Sequence, residues 1–231
     1  MRMRRTSHFG PALFRFLRDL AANNRREWFT ENRTRYDEDV VLPARRFITD
    51  VGPHLRKISK KLVADPRPVG GSMFRIYRDV RFSKDKSPYK THVGIHFRHA
   101  DGGNVHCPGY YLHLEPGNVF AAAGIWHPEG PTLQSIRTHL AKNRAAWKKA
   151  LEDPRFRARF TLSGDSLKRP PRGFDPDHPL IEDLKRKDHI AVTKIKQADV
   201  TASDFLERFI EICGDGKPYM RFLCRAIEVG F

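Results

Sequence analysis

The apolar residues of this 231-residue chain change their spacing near residue 64, and that change limits the folds open to it. Before it, Leu13, Phe14, Leu17 and Leu20 recur at the period of a helix, which Asn23-Asn24 ends. A second helix is expected from about residue 25 to 42, presenting Trp28, Phe29, Tyr36 and Val40, with Pro43 restarting or kinking it. Phe47, Ile48, Val51, Leu55, Ile58 and Leu62 then form one apolar stripe in spite of Pro53. Residues 64–71 carry two prolines and two glycines and read as a turn. Past them the period is two.

Candidate strands cover residues 73–79, 91–98, 109–115 and 119–126, the last two joined by Pro116-Gly117-Asn118 as a hairpin turn. They read as an antiparallel meander, with a loop near residues 100–104. Helical spacing resumes after Gly130-Pro131, where a proline suits a first helical turn. Leu133, Ile136 and Leu140 line one helix face, and Trp147 and Leu151 belong to a following helix. Residues 154–160 make a short further turn, 163–179 a loop rich in proline and glycine, 179–185 a short helix and 190–195 a strand. Phe205, Phe209, Met220 and Leu223, interrupted by Gly214-Asp215-Gly216, give two C-terminal helices or one broken one. The expected fold class is α+β: a central antiparallel sheet (73–126) between N-terminal helices (13–62) and a C-terminal helical region (131–231). This forms one domain from residue 13, behind a basic tail of residues 1–12, and is long enough to bury a substantial core.

Alternation along the strands sorts the middle residues onto two faces. Phe74, Ile76, Val93, Ile95, Phe97, Leu112 and Leu114 share the apolar side. If the strands pair in order, the other side collects Arg75, Tyr77, Asp79, His96, Arg98, Tyr111, His113 and Glu115. A solvated sheet face is usually Thr, Lys and Ser, so a set this rich in rings and ionisable groups has the make-up of a recognition or catalytic surface. The same residues also suit an internal polar network, Arg75 pairing with Asp79 or Glu115 and the tyrosines capping it. Both readings stand on the sequence alone.

Three chemistries need weighing for that face. His113 with Tyr111 or Glu115 makes a general acid–base pair for phosphodiester or ester hydrolysis, with Arg75 and Lys84 stabilising charge. His96, His113 and Glu115 make a two-histidine, one-carboxylate metal set if the strand register brings them together. His113-Leu114-Glu115 has the His-x-Glu of zinc deaminases, but the matching Pro-Cys-x-x-Cys is missing, which rules that chemistry out. His106 beside Cys107 is a poor nucleophilic pair, because sequence neighbours lack the required geometry.

Charge points to the ligand class. Residues 74–92 hold three arginines and three lysines against two aspartates. Arg75, Arg78, Arg81, Lys84, Lys86 and Lys90 are expected to contact phosphate, with Tyr77, Tyr111 and His113 stacking or hydrogen-bonding beside them. Residues 83–88 cannot be a helix interior, so their backbone N–H groups are free to face an anion. Lys168-Arg169-Pro170-Pro171-Arg172 is a second basic loop, held extended by its prolines, and Lys168, Arg169 and Arg172 are its phosphate candidates. Across the chain, 43 Lys and Arg face 27 Asp and Glu, a formal charge of +16 that favours nucleic acid or a phosphorylated small molecule as partner. A solvated charge cluster is the commoner fate of such runs.

Other classes find no support. There is no Walker loop, G-x-G-x-x-G, G-x-S-x-G or H-E-x-x-H, so neither a nucleotide cofactor nor a familiar hydrolase motif is called for. Three cysteines without a C-x-x-C pair argue against a disulfide framework and a structural zinc. No apolar run approaches a membrane span. The five arginines of residues 1–18 faintly suit a transit peptide, but Leu13, Phe14 and Leu17 belong to a core, and a cytoplasmic location is expected.

Four stretches carry a resemblance: Arg26-Glu27-Trp28-Phe29, the run of residues 74–92, Pro108–Gly117, and Leu167-Lys168-Arg169-Pro170-Pro171-Arg172-Gly173-Phe174. In this order they resemble the bacterial and fungal family called domain of unknown function 2461, over residues 13–223. The resemblance implies a single α+β domain and cytoplasmic expression, and implies no activity.

Overall fold

A computed structural model describes residues 7–101 and 107–231. In it the helical spacing of the first sixty residues becomes four α-helices and a π-helical turn. Pro11 opens α1 (Pro11–Ala22), which buries Leu13, Phe14, Phe16, Leu17 and Leu20. The helix expected from 25 to 42 is instead broken into α2 (Arg26–Glu31), α3 (Arg33–Tyr36) and a π-helical turn (Asp37–Val41). Pro43 follows the π-helical turn at the start of α4 (Leu42–Ile58); Val41 and Leu42 before it are both helical, so the chain runs on through the proline rather than restarting there. Pro53 stays inside α4, and the apolar stripe around it is buried. Residues 1–6 of the expected tail lie outside the described residues. Phe9, also assigned to that tail, is fully buried between Phe47 and Phe205.

The sheet has five antiparallel strands: β1 (Val93–Arg98), β2 (Gly109–Glu115), β3 (Asn118–Ile125), β4 (Thr161–Ser163) and β5 (His189–Lys194), in the order β1-β2-β3-β5-β4. Pro116 and Gly117 close the β2–β3 hairpin between the paired residues Glu115 and Asn118, and Gly117 takes the positive φ of 80° that the turn requires. Three of the expected strands therefore form, within a residue or two of their bounds, and so does the one near 190. The three-residue β4 lies in the stretch read as turn and loop. Between β3 and β4 run α5 (Gly130–Lys142), α6 (Arg144–Glu152) and α7 (Pro154–Arg159); α8 (Ile181–Leu184) precedes β5. The chain ends with α9 (Gln197–Val200), α10 (Phe205–Asp215) and α11 (Lys217–Ala226).

Residues 73–79 do not form a strand, contrary to their alternation. They make two isolated bridges, Met73 to Ile95 and Tyr77 to Tyr89, so the segment touches the β1 edge once and then turns on itself. Residues 102–106, which overlap the loop expected near 100–104 and include His106, lie outside the described residues.

The apolar side of the sheet packs against helices. Ile95, Phe97, Tyr110, Leu112, Leu114, Ala121, Ala123 and Ala191 are all buried there. The Tyr110 hydroxyl donates to the Cys213 carbonyl of α10 at 2.6 Å, and Phe97 meets Phe209. The opposite side carries the other half of each strand, and that side is not sealed.

Candidate functional site

In β2, alternation sends Tyr110, Leu112 and Leu114 into the core and leaves Tyr111, His113 and Glu115 on the open side. The register then fixes their neighbours. His96 of β1 lies opposite Tyr111 and Gly94 opposite His113; on the other flank β3 brings Ala122 to Tyr111 and Phe120 to His113. Glycines make room for the rings. A Cβ at Gly94 would stand 2.7 Å from the Tyr111 hydroxyl, and one at Gly109 only 2.3 Å from His96 Nε2. Each ring thus lies across the backbone of the neighbouring strand.

A cavity of about 550 Å³ opens on this side. Gly109, Phe120, Ala122, Gly124, Ile190 and Val192 contribute from the strands, and Phe74 and Trp126 from the segments beyond them. The polar lining is Lys90, His92, His96, Tyr111 and His113. Trp126 is held near the mouth by a turn anchored on the buried Asp188, whose carboxylate accepts the His127 N–H at 2.8 Å and the Asp165 N–H at 2.9 Å.

One hydrogen-bonded chain organises the polar end. The Glu115 carboxylate accepts from Asn118 Nδ2 at 3.0 Å, from Thr91 Oγ1 at 3.2 Å and from His113 Nε2 at 3.3 Å. With its Nε2 proton directed at the carboxylate, His113 has Nδ1 as acceptor for the Tyr111 hydroxyl at 3.0 Å. The His113 ring is stacked on Phe120, with centroids 4.6 Å apart, and its other neighbour is His92 at 4.4 Å. One ligand-capable atom from each of His92, His113 and Glu115 falls within 4.8 Å of the others.

Burial decides the protonation states. It pulls His92 down to about 4, helped by His113, and His96 down to about 4, helped by Arg98. It also lowers His113, against the pull of Glu115. For Glu115, burial acts upward but is outweighed by the hydrogen bonds from Asn118, His113 and Thr91, so the carboxyl titrates below its usual range. Tyr111 is pushed up, by burial first and then by Glu115. At neutral pH the face holds three neutral imidazoles, a neutral phenol and one carboxylate. Among the described residues His92 and His96 make no side-chain hydrogen bond, so their ring nitrogens are available to a ligand.

The structure brings His96, Tyr111, His113 and Glu115 together, as alternation expects, but it sends the first expected strand elsewhere. Phe74, assigned to the core, lies over the open face, with its ring 6.2 Å from His96 and 6.1 Å from Tyr111. Arg75 is exposed and pairs with neither Asp79 nor Glu115. Tyr77, 54% exposed, rests on Tyr89 beside Arg33 of α3. A metal set of His96, His113 and Glu115 is likewise not formed: the histidine beside the other two is His92. His92 is the residue that sequence reasoning missed. Its signal was parity, since it precedes Gly94 and His96 by two and four positions and extends their face by one step.

Two of the six cations of the basic segment are paired with its two aspartates. Arg78 is paired with Asp85 and reaches Ser83, and Arg81 holds Asp79 through Nε at 2.9 Å and a second nitrogen at 2.7 Å. The hydrogen bonds from Arg81 hold the Asp79 carboxyl down at about 2. Lys86 donates to the Val80 carbonyl at 3.0 Å, while Lys84 is exposed. Lys90 is the cation of the segment that lines the cavity; its ammonium donates to the Arg75 carbonyl at 2.7 Å, and burial and Arg75 lower its pKa. Lys168, Arg169 and Arg172 are exposed on a segment hydrogen-bonded to Lys185, beside the β4–β5 edge and away from β1.

A family model described as "Conserved hypothetical protein (DUF2461)" matches residues 12–222, a span that includes all five strands and every residue of the cavity. No curated protein and no solved structure matches the chain. Among the described residues, no helix is long and apolar enough to cross a membrane.

Proposed function

We infer that this chain, which belongs to the conserved hypothetical family DUF2461, binds a small phosphorylated compound in the cavity and hydrolyses its phosphoester bond. The observation that carries this reading is convergence in one cavity: a carboxylate–imidazole–phenol chain, two further imidazoles with unused nitrogens, and Lys90. A mostly apolar lining with a few convergent polar groups is the usual form of a small-molecule site. The apolar end, with Trp126, Ile190 and Val192, suits the alcohol portion of the ester, and Lys90 its anionic portion.

The chain supplies a proton path. Water attacks phosphorus and gives a proton to the Tyr111 oxygen, as the Tyr111 proton passes to His113 Nδ1. Glu115 stabilises the resulting imidazolium through the Nε2–H it already holds. The proton then returns through Tyr111 to the leaving alkoxide as the ester P–O bond breaks. A phenol too weakly acidic to ionise by itself suits such a relay better than attack as a free phenolate.

Turnover of p-nitrophenyl phosphate and bis(p-nitrophenyl) phosphate tests the reading. His113→Ala is expected to lower kcat/KM by about 100-fold or more. An Arg78→Ala, Lys84→Ala double variant is expected to stay within about 2-fold, as neither residue lines the cavity. Retained activity in His113→Ala would remove the relay.

A second reading, a nucleic-acid-binding surface, is favoured by one observation: Arg75, Lys84, Lys168, Arg169 and Arg172 are exposed and, among the described residues, unpartnered. Binding of single-stranded DNA or RNA that weakens steeply with salt, and is lost on replacing those cations by alanine, would support it over the first.

A further inference from the structure

We propose that His92, His113 and Glu115 bind one divalent transition-metal ion, zinc foremost, at the polar end of the cavity. The proposal shares its site with the hydrolase reading and rests on that reading's cavity, but not on the reaction.

The geometry is that of co-ligands. In tetrahedral coordination two atoms each about 2.1 Å from zinc stand about 3.4 Å apart. His113 Nε2 and Glu115 Oε2 are 3.3 Å apart, long for a charge-assisted hydrogen bond and suited to two ligands of one ion. His92 completes the set within 4.8 Å, so a shift of about an ångström in its side chain closes the site. The backbone supports this arrangement: Val93 pairs with Leu114, so the next step of the register brings His92 against Glu115.

Two of the three ligands are already oriented by neighbours, Glu115 through Thr91 on Oε1 and Asn118 on Oε2 itself. Tyr111 binds the far nitrogen of His113, and Phe120 stacks on its ring. Such outer partners orient ligands in metal sites. Two imidazoles and one carboxylate select zinc or a neighbouring transition ion over magnesium or calcium, which take oxygen ligands. Three protein ligands leave a fourth position vacant. His92 and His113 both line the cavity, so that position opens towards it, as in catalytic rather than structural sites.

Loading would also redirect Tyr111. The metal takes His113 Nε2, and the proton of that nitrogen is replaced by one on Nδ1, which now donates to the Tyr111 oxygen. The Tyr111 hydroxyl proton turns from His113 to the cavity. No proton is gained or lost, and the cavity acquires a donor.

Metal-stripped full-length chain should be titrated with zinc by calorimetry and with cobalt(II) by visible absorption, without substrate. The expected result is one ion per chain, with the d–d spectrum of four- or five-coordinate cobalt. His92→Ala and Glu115→Gln should each weaken binding by more than about 100-fold, Tyr111→Phe by about 10-fold, and His54→Ala on α4 should leave it unchanged. The conservative Glu115→Gln keeps the test valid if His92→Ala folds poorly. Absence of saturable binding, or single-site binding that survives both His92→Ala and Glu115→Gln, would overturn the proposal. Hydrolysis that persists in excess chelator in a chain that takes up no ion would overturn the metal site and leave the hydrolase reading standing. A chain that binds one ion on these residues yet hydrolyses no phosphoester, either loaded or stripped of the ion, would do the reverse.

Discussion

Residues 74–90 and the strand face they border are both rich in ionisable groups, and they leave those groups in opposite conditions. In the segment, two of three arginines are tied to aspartates of the same segment, in contact with solvent. On the face, His92 and His96 are largely withdrawn from water, with ring nitrogens that nothing in the described protein uses. A solvated charge held by its neighbour in sequence asks little of the fold. A buried imidazole without a partner is costly, and such groups gather where a protein binds or reacts. The two regions therefore offer different things to a ligand: the segment a solvated charge, the face a set of uncharged rings brought together by strand register.

The largest expected effect lies beneath the face. Gly124 has φ 129°, and a Cβ there would stand 2.0 Å from the His189 carbonyl oxygen. Gly124→Ala should lower unfolding free energy by about 3 kcal/mol or more. Gly70, at φ 73° with nothing near it, should lose only about 1 kcal/mol on the same change. Equal losses in denaturant unfolding would erase the distinction between a built face and a tolerant loop.

Acid sharpens it next. The folded pKa of His96 is about 4 against an ordinary 6.5, so between these values the unfolded chain binds the extra proton. Stability then falls as pH drops through that window, by up to about 1.4 kcal/mol per pH unit for this group, and is undiminished above pH 6.5. His92, being more exposed, adds in the same direction with a weaker slope. His96→Leu should flatten the profile measured by urea unfolding at stepped pH; an unchanged profile would place the proton elsewhere.

A smaller effect is expected from the segment. Asp79→Ala with Asp85→Ala frees Arg81 and Arg78. The double variant should bind single-stranded DNA more tightly than the parent, with a log–log salt slope steeper by about one per freed arginine, and melt at the same temperature. Unchanged binding would mean that the pairs do not hold the arginines back. The smallest effect concerns His189, sealed on the helix-packed side with neither ring nitrogen bonded. His189→Leu should be neutral or stabilise by about 1 kcal/mol, unlike any change at His113.

Much of this molecule was legible in its sequence. The bounds of β2 follow from strict alternation closed by Pro116-Gly117, and the hinge before α11 from Gly214-Asp215-Gly216. The grouping of Tyr111, His113 and Glu115 needed only period two. The segment at 73–79 misled because Phe74, Ile76 and their polar neighbours alternate like a strand. Lasting pairing takes a partner strand, and the chain instead folds back so that Arg78 and Lys90 bond to the carbonyls of Pro88 and Ile76. Pairing across strands was not legible, so the choice of His92 over His96 as neighbour of Glu115 could not be read. Nor could the π-helical turn, which leaves no periodic trace in five residues.

The most direct measurement is an NMR titration of the histidine ring resonances and backbone amides with phenyl phosphate. The rings of His92, His96 and His113 are expected to shift together along one saturation curve, while amides of residues 78–86 and 168–172 stay still. Shifts confined to those two basic segments, with the rings unmoved, would contradict the claim that the cavity rather than the charged surface is where this protein acts.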